Sequence, residues 1–159
     1  MIKIQVNVTA LQDAMDRLIA GLQDTTPLMQ EVVFVMQGAV AENFEQGGRP
    51  KWQAKKDGKP SRLQDTGKLT SSITPAFDRT SAVVGTNVAY AAIHQFGGKT
   101  APHVIRPKTK KALKFGGKIR RSVNHPGSNM PARPFLALTQ DDRDEIELTA
   151  QSYLRRLID

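Results

Sequence analysis

The sequence predicts an α+β fold, in which a small antiparallel sheet is packed by a long helix of the N-terminal half and by a C-terminal helix. Three observations predict this class. Apolar residues recur at helical spacing near both ends, alternate in short middle stretches, and are sparse in two basic, Gly- and Pro-rich segments at about 47–62 and 97–130. The 159 residues suit one domain. We therefore expect a single domain, 1–159, that carries these two segments as extended arms.

The N-terminal elements are read from apolar spacing and from capping residues. Residues 2–8 alternate between apolar and polar side chains, which predicts a half-buried strand. Thr9 follows as the predicted N-cap of a short amphipathic helix, with Gln12 as its capping-box partner. The Thr-Pro pair at 26–27 predicts the start of a second, longer helix, with Thr26 as its cap, and the Gly-Gly pair at 47–48 predicts its end.

The middle of the chain predicts short elements. A helix is expected within 63–73, capped by Asp65 or Thr66, followed by a hairpin of strands at 73–77 and 82–85 and by a short helix at 88–96. Segments 103–105 and 112–115 are expected to pair as the strands of another hairpin.

The C-terminal part predicts one extended segment and one helix. Residues 131–138 read as extended, because two prolines restrict their backbone. Thr139 is the predicted N-cap of the last helix, with Asp142 at the capping-box position.

Charge is distributed unevenly along the chain. The net charge is +8, yet residues 1–46 carry −4 and 134–159 carry −3, so that 47–133 carry +15. One interpretation is a contact with a partner. The other is that acidic helices and basic arms neutralise each other, within a molecule or between subunits. Lysines and arginines around Phe115 could also bind phosphates and stack a base, without any motif for sequence-specific reading.

Several classes of protein are not expected. There is no cysteine, which excludes disulfide scaffolds and thiolate metal sites. His94, His103 and His125 match no metal-ligand spacing, and no nucleophile elbow or phosphate-binding glycine motif is present. No stretch is long and apolar enough to read as a membrane span or a signal peptide. We therefore expect a soluble protein that is not an enzyme and needs no cofactor or metal.

Three blocks of sequence resemble one known family. They are LxDTGxLxxSI at 63–73, VGTNxxYAxIHQxG at 84–97, and MPARPFL at 130–136, followed by an acidic final helix. Their order is similar to that of the phage virion morphogenesis, or tail-completion, family of Mu-like and related tailed phages. The resemblance extends from the long helix near Pro27 to the end of the chain.

This resemblance implies a structural protein at the head–tail junction of the virion, assembled in the host cytoplasm. It implies a homo-oligomeric ring, expected to be sixfold, that contacts other neck, connector or tail-terminator proteins and leaves a channel for DNA, with a non-specific contact to passing DNA. No catalytic residue is carried over. The motif residues, expected to be structural, are Asp65, Thr66, Gly67, Leu69, Tyr90, His94, Gln95, Gly97, Pro131, Pro134 and Phe135.

The residues of the arms are expected to contact neighbouring subunits or partners. Tyr90 is predicted to lie in the core, whereas His94 could lie there or face a partner. Arg133 suits a bidentate carboxylate contact, within the fold or across an interface. The predicted contact residues are Trp52, Arg106, Lys108, Lys110, Lys111, Phe115, Arg120, Arg121 and Arg133. The alternative function is an assembly factor outside the virion that binds nucleic acid through the basic middle segment.

Overall fold

The computed structural model describes residues 8–55, 58–109 and 111–159, with the backbone alone for Phe115. The strand predicted at 2–8 therefore lies outside the described residues, except for Val8. The chain divides into two compact units: unit 1 comprises Met1–Val88 and Phe135–Asp159, and unit 2 comprises Ala89–Pro134. The described elements are α1 (Thr9–Gln23), α2 (Thr26–Gln46), α3 (Lys68–Ser71), β1 (Thr74–Phe77), β2 (Ala82–Gly85), α4 (Ala91–Phe96), β3 (Gly98–Lys99), β4 (His103–Ile105), β5 (Leu113–Phe115), β6 (Lys118–Arg120), β7 (Val123–His125), β8 (Asn129–Met130) and α5 (Gln140–Ile158).

Unit 1 is built around α2, which packs against α5 and against the β1–β2 pair, while α1 packs against α5. This confirms the predicted α+β class. The centre of its core is Phe44, whose ring lies 5.3 Å from that of Phe135 and meets Trp52 edge-on at 6.3 Å. All three rings are buried. Each such side chain contributes about 1.5–3 kcal/mol through removal of apolar surface from water.

The predicted helix ends are partly confirmed. Helix α2 ends at Gly47, which has a left-handed backbone (φ 71°) and donates its N–H to the carbonyl of Asn43. Helix α5 has the predicted capping box, in which Asp142 N–H donates to the Thr139 hydroxyl and Thr139 N–H donates to the Asp142 carboxylate.

Three predicted caps are wrong. Thr9 and Thr26 are each the first residue of their helix, so the N-caps are Val8 and Thr25, neither of which caps with its side chain. The N–H of Thr26 is instead satisfied by the carboxylate of Asp24 at 3.0 Å. The cap of α3 is Gly67, again without a side-chain bond, because a left-handed glycine (φ 74°) turns the chain into this single helical turn.

The β1–β2 hairpin has the predicted position and pairs Thr74 with Gly85 through Phe77 with Ala82. Its turn is held by Asp78, whose carboxylate accepts hydrogen bonds from the backbone and hydroxyl groups of Thr80 and Ser81. An aspartate at the start of a tight turn commonly makes such bonds to the residues two and three positions on.

Unit 2 consists of α4 and one long hairpin with three successive antiparallel pairs in its described part. Strand β3 pairs with β8, β4 with β7, and β5 with β6, with the tip at the Gly-Gly pair 116–117. The prediction that 103–105 pairs with 112–115 is therefore wrong, although both segments are strands. The β3–β8 and β4–β7 pairs share one register, because Gly98 faces Met130 and His103 faces His125.

Candidate assembly surfaces

Two of the sequence blocks meet within unit 2. The backbone N–H of Arg133 donates a 2.7 Å hydrogen bond to the carbonyl of His94, and Gly98 pairs with Met130 in the β3–β8 ladder. The block that ends in α4 and the block at 130–136 therefore lie side by side at the base of the hairpin. This juxtaposition places His94 and Arg133 in one small cluster.

Gly97 makes the close approach of these two blocks feasible. Its φ is +72°, and a Cβ added there would lie 2.8 Å from the backbone nitrogen of Ala132 and 3.0 Å from the carbonyl of Met130. These are backbone atoms, which cannot move aside as a flexible side chain can. Glycine is required here both for its conformation and for its lack of a side chain.

Tyr90 and His94 form an edge-to-face pair, with ring centroids 5.9 Å apart and an interplanar angle of 87°. Tyr90 is 41% exposed, so the prediction that it lies in the core is wrong. As the residue that precedes α4, it leaves one side of its ring at the surface. The pair therefore presents an aromatic surface with His94 behind it.

His94 is half-buried and lies near the buried Arg133. Burial, followed by the positive charge of Arg133, lowers the pKa of His94 below its ordinary value of 6.5, which favours the neutral imidazole at pH 7. Its Nδ1 atom is buried without a hydrogen-bond partner, and so is the Nε atom of Arg133. Arg133 is only 7% exposed, and no carboxylate of the described residues forms an ion pair with it.

The other motif residues divide between core and surface. Leu69 and Phe135 are buried in unit 1, at 4% and 0% exposure. Asp65, Thr66 and Pro134 are exposed, while Gly67, Gln95 and Pro131 are partly buried. The hydroxyl of Thr66 lies 3.5 Å from the Lys68 nitrogen, a long contact at the start of α3. These motif residues therefore do not gather into one site.

The hairpin of unit 2 has only exposed or half-buried side chains in its described length. None of its described side chains between 98 and 130 is buried, and Val104, Ile105 and Ile119 are 51%, 37% and 79% exposed. The whole of unit 2 contains ten lysines and arginines and no acid. Lys110 and the side chain of Phe115 fall outside the described residues. The predicted contact residues that the structure places on the exposed surface are Arg106, Lys108, Lys111, Arg120 and Arg121.

These hairpin cations lack partners in the described structure. The ion pairs found among the described residues join Arg49 to Glu42 and Asp142, and Arg156 to Glu31, all within unit 1. Unit 2 itself contains no carboxylate side chain that could pair with these cations. The charge of the hairpin is available to another molecule.

The first basic segment, 47–62, is attached to unit 1 by a residue that sequence reasoning missed. The guanidinium of Arg49 donates to the side chains of Asn43 (3.1 Å), Glu42 (2.7 Å) and Asp142 (2.9 Å), and to the carbonyl of Ala39 (3.0 Å). Trp52, predicted as a partner contact, is 9% exposed and packs on Phe44. The segment is thus held against its own unit at this end.

Comparison with known proteins identifies the family of the chain. Residues 6–155 match the model of the phage virion morphogenesis family. The chain belongs to this family. It is 38% identical over 159 residues to a protein described as Mu-like prophage FluMu G protein 2, from Haemophilus influenzae strain Rd, with 99% of each chain covered. No solved structure matches the chain.

Membership of the virion morphogenesis family confirms the resemblance found from the three blocks. It supports a role in the building of a phage particle. Among the described residues, no group of three His, Cys, Asp or Glu side chains could hold a metal ion, and no helix has the length and hydropathy to cross a membrane.

Proposed function

We propose that this chain is a tail-completion subunit at the head–tail junction, where copies form a ring, sixfold by expectation, that joins the tail to the head and leaves a channel for DNA. Its partners are then further copies of itself and the neck, connector or tail-terminator proteins on either side. Family membership supports the morphogenesis role on which this proposal builds.

The observation that carries the proposal is the hairpin of unit 2. It extends from Gly98 to Met130 without a buried side chain in its described part, and its ladders have only two strands each. A two-stranded hairpin is marginally stable by itself. The free-energy cost of ordering such a segment is offset when a partner makes contacts with it. Exposed Val104, Ile105 and Ile119 would provide the apolar anchors of that contact.

Charge supports a second copy as one such partner. Helix α5 carries exposed acidic residues near its N-terminus, whereas the hairpin is entirely basic. A hairpin on one subunit that reaches α5 of the next forms a head-to-tail contact, and such contacts form a ring when the rotation between successive subunits closes. Arg133, buried without a carboxylate among the described residues, suits an acidic side chain from a neighbour.

The first test is the composition of the particle. Mass spectrometry of virions purified from the phage that encodes this chain should find a few copies of it, and labelled antibody should mark the neck. Deletion of 99–129 should stop the joining of heads to tails while unit 1 stays folded. Absence of the protein from finished particles would refute the structural role. An unfolded deletion variant would refute the division between a self-sufficient unit 1 and its hairpin.

The same basic hairpin supports a second candidate, an assembly factor that binds nucleic acid non-specifically and leaves the particle. Binding through phosphates weakens steeply between about 50 and 200 mM salt, because counterions are released. A ring held by apolar anchors should weaken much less. Affinity for random duplex DNA measured across this salt range, together with the virion composition, distinguishes the two functions.

A further inference from the structure

Arg133 is a buried cation for which the described residues supply no opposite charge. The residue is 7% exposed, its Nε atom is buried without a hydrogen-bond partner, and no ion pair among the described residues includes it. A buried charge is strongly unfavourable unless an opposite charge and hydrogen bonds compensate it. Unit 2 contains no acidic residue, so the compensating group comes from outside this unit.

The backbone holds Arg133 in a fixed position beside α4. The Arg133 N–H donates to the carbonyl of His94 at 2.7 Å, and prolines lie two positions before and one position after the arginine. Prolines restrict the backbone of the segment that carries them. A side chain on a backbone that is already fixed loses less freedom on binding, which favours recognition of a ligand.

His94 supplies a second polar atom near Arg133. Its Nδ1 atom is buried without a hydrogen-bond partner, and burial, followed by the charge of Arg133, lowers its pKa below 6.5. At pH 7 the imidazole is therefore neutral, and the two side chains together carry one positive charge. In the tautomer with the proton on Nδ1, both side chains have an N–H group to donate.

Tyr90 lies on the exposed side of these two residues. Its ring meets that of His94 edge-on at 5.9 Å and is 41% exposed. Tyrosine and arginine are among the residue types that most often carry the binding energy of a protein contact. A partly exposed tyrosine beside a buried arginine is therefore typical of the centre of such a contact.

The charge and the donors of this cluster favour a carboxylate. A carboxylate is a planar anion of one charge with two acceptor oxygens, which matches one positive charge and two unpaired nitrogens. A phosphate monoester carries more negative charge than the cluster neutralises. The phosphate of a nucleic acid lies between two sugars, whereas a carboxylate at the end of a side chain can reach an arginine that is 7% exposed.

We propose that Arg133 and His94, with Tyr90 at the entrance, form a carboxylate-binding site that receives an aspartate or glutamate side chain of another protein subunit. The described residues include every acidic residue of this chain except Asp57, and none of them forms an ion pair with Arg133. The binding chemistry does not depend on the proposed function. The placement of the donor subunit in the phage particle rests on that function.

Acetate titration of the full chain tests the site, with the NMR signals of the His94 ring as the readout. At pH 7.5 and constant ionic strength, replacement of chloride by acetate should shift these signals to saturation, with a dissociation constant below about 50 mM. A wild-type protein that responds equally to acetate and to chloride overturns the proposal.

Three arginine variants separate the site from the general charge of unit 2. Arg133→Met should show no saturable shift. Arg133→Lys keeps the charge but lacks the planar guanidinium, and should bind acetate about tenfold more weakly. Arg106→Met, at an exposed arginine of unit 2, is the matched control and should respond as the wild type does. Equal acetate affinity in Arg133→Lys and the wild type overturns the proposal, whether or not Arg133→Met folds.

The pH dependence of binding tests the part of His94. Bound acetate offsets the charge of Arg133 that lowers the pKa of His94, so binding should raise this pKa. By linkage, acetate should bind about threefold more tightly at pH 5.5 than at pH 7.5. In His94→Gln the two affinities should be equal. A wild-type affinity that does not increase at pH 5.5 overturns the assignment of His94 to the site.

Two further measurements identify the source of the bound group. Asp57→Asn should leave the acetate affinity and the His94 signals unchanged, and a change in either would assign the carboxylate to the same chain and overturn the contact between subunits. A short DNA duplex should not displace acetate. Displacement by DNA would assign the site to phosphate and overturn the choice of a carboxylate.

Cross-linking in the assembled particle tests the donor subunit. In particles that carry Arg133→Lys, a carbodiimide should couple the new lysine to an aspartate or glutamate of another chain, because it joins an amine and a carboxylate in direct contact. A product within one chain, or no product, overturns the contact between subunits. Failure of acetate binding remains distinct from failure of the proposed function, which the composition of the virion tests.

Discussion

Arg49 and Asp142 are joined by a 2.9 Å contact between Nη2 and Oδ2, although 93 positions separate them in the chain. The same carboxylate accepts the backbone N–H of Thr139, so one aspartate both caps α5 and receives the guanidinium that anchors the 47–62 segment. Burial raises the pKa of Asp142, but its bonds to Thr139 and the nearby charge of Arg49 outweigh burial and keep the pKa below 3.8. Asp142 is therefore ionised in the folded protein at neutral pH.

We expect Arg49→Ala to lower the free energy of unfolding by about 3 kcal/mol, because it leaves a buried carboxylate and the Asn43 amide without their partner. The side chains of Arg49 and Asp142 are 16% and 7% exposed, so solvent screens this pair little. Urea unfolding measures the effect. Arg62→Ala, at an exposed arginine in the same segment, should change stability by less than about 0.5 kcal/mol. Equal effects of the two substitutions would contradict this assignment.

Gly97→Ala should disrupt the meeting of the two sequence blocks in unit 2. It combines an unfavourable positive φ with a clash against the backbone of Ala132, and we expect a loss of about 2 kcal/mol or more. Gly67→Ala serves as the comparison, since Gly67 has nearly the same φ with open space around it. It should cost only about 1 kcal/mol. Amide hydrogen exchange of Arg133 reports the first effect; unchanged protection in Gly97→Ala would refute it.

Stability should fall on acidification below pH 6.5 because of His94. Its pKa is lowered in the folded state, so the unfolded chain binds the proton more readily, and stability present above pH 6.5 is lost as the pH falls below it. Unfolding measured at pH 7.5 and pH 5 should show a larger loss in the wild type than in His94→Gln. Asp142 contributes only at lower pH, and the other histidines are common to both proteins. An equal loss in the two proteins would count against a buried, neutral His94.

Arg133→Met should leave the isolated subunit as stable as the wild type, or up to about 1 kcal/mol more stable, because it removes a buried cation without a carboxylate among the described residues. It should also raise the pKa of His94, since the charge of Arg133 contributes to lowering it. NMR titration of the His94 ring measures this shift. If the neighbour supplies the carboxylate, the variant should lower phage yield despite its stability; normal yield would place Arg133 outside the assembly contact.

Gly38→Ala should stabilise the folded subunit. Since nothing contacts a Cβ at this helical position, the variant should unfold with about 0.5–1 kcal/mol more free energy than the wild type at concentrations where both are monomers. Gly21→Ala provides the contrast, because its Cβ would meet Leu157 at 2.4 Å. If Gly21→Ala stabilised the protein as much as Gly38→Ala, the result would contradict the different environments of these two helical glycines.

Local signals predicted the parts of the fold that depend on neighbours in sequence. The glycine that ends α2, the Thr139 and Asp142 capping box and the β1–β2 hairpin each involve residues a few positions apart. The predicted strand pairing in the long hairpin is wrong because β4 pairs with β7, and the β5–β6 pair lies between them in the chain. The alternation of apolar and polar residues identifies a strand but does not identify its partner strand.

The candidate surfaces were predicted unevenly for the same reason. The exposed cations of the hairpin follow from a segment with many basic and few apolar residues. Arg49 was missed because its partners Asn43 and Asp142 come from two helices that meet only in three dimensions.

Unit 1 is assembled from two stretches of chain, Met1–Val88 and Phe135–Asp159, with unit 2 encoded between them. During synthesis, the basic hairpin therefore leaves the ribosome before the helix that completes the core. Until α5 emerges, Phe44 lacks Phe135 and Arg49 lacks Asp142. Because domains fold as units during translation, a nascent chain stays incompletely folded while its hairpin is already exposed. The core of unit 1 is therefore complete only in a chain whose last helix has been synthesised, so the order of translation places the folding of unit 1 after the synthesis of the hairpin.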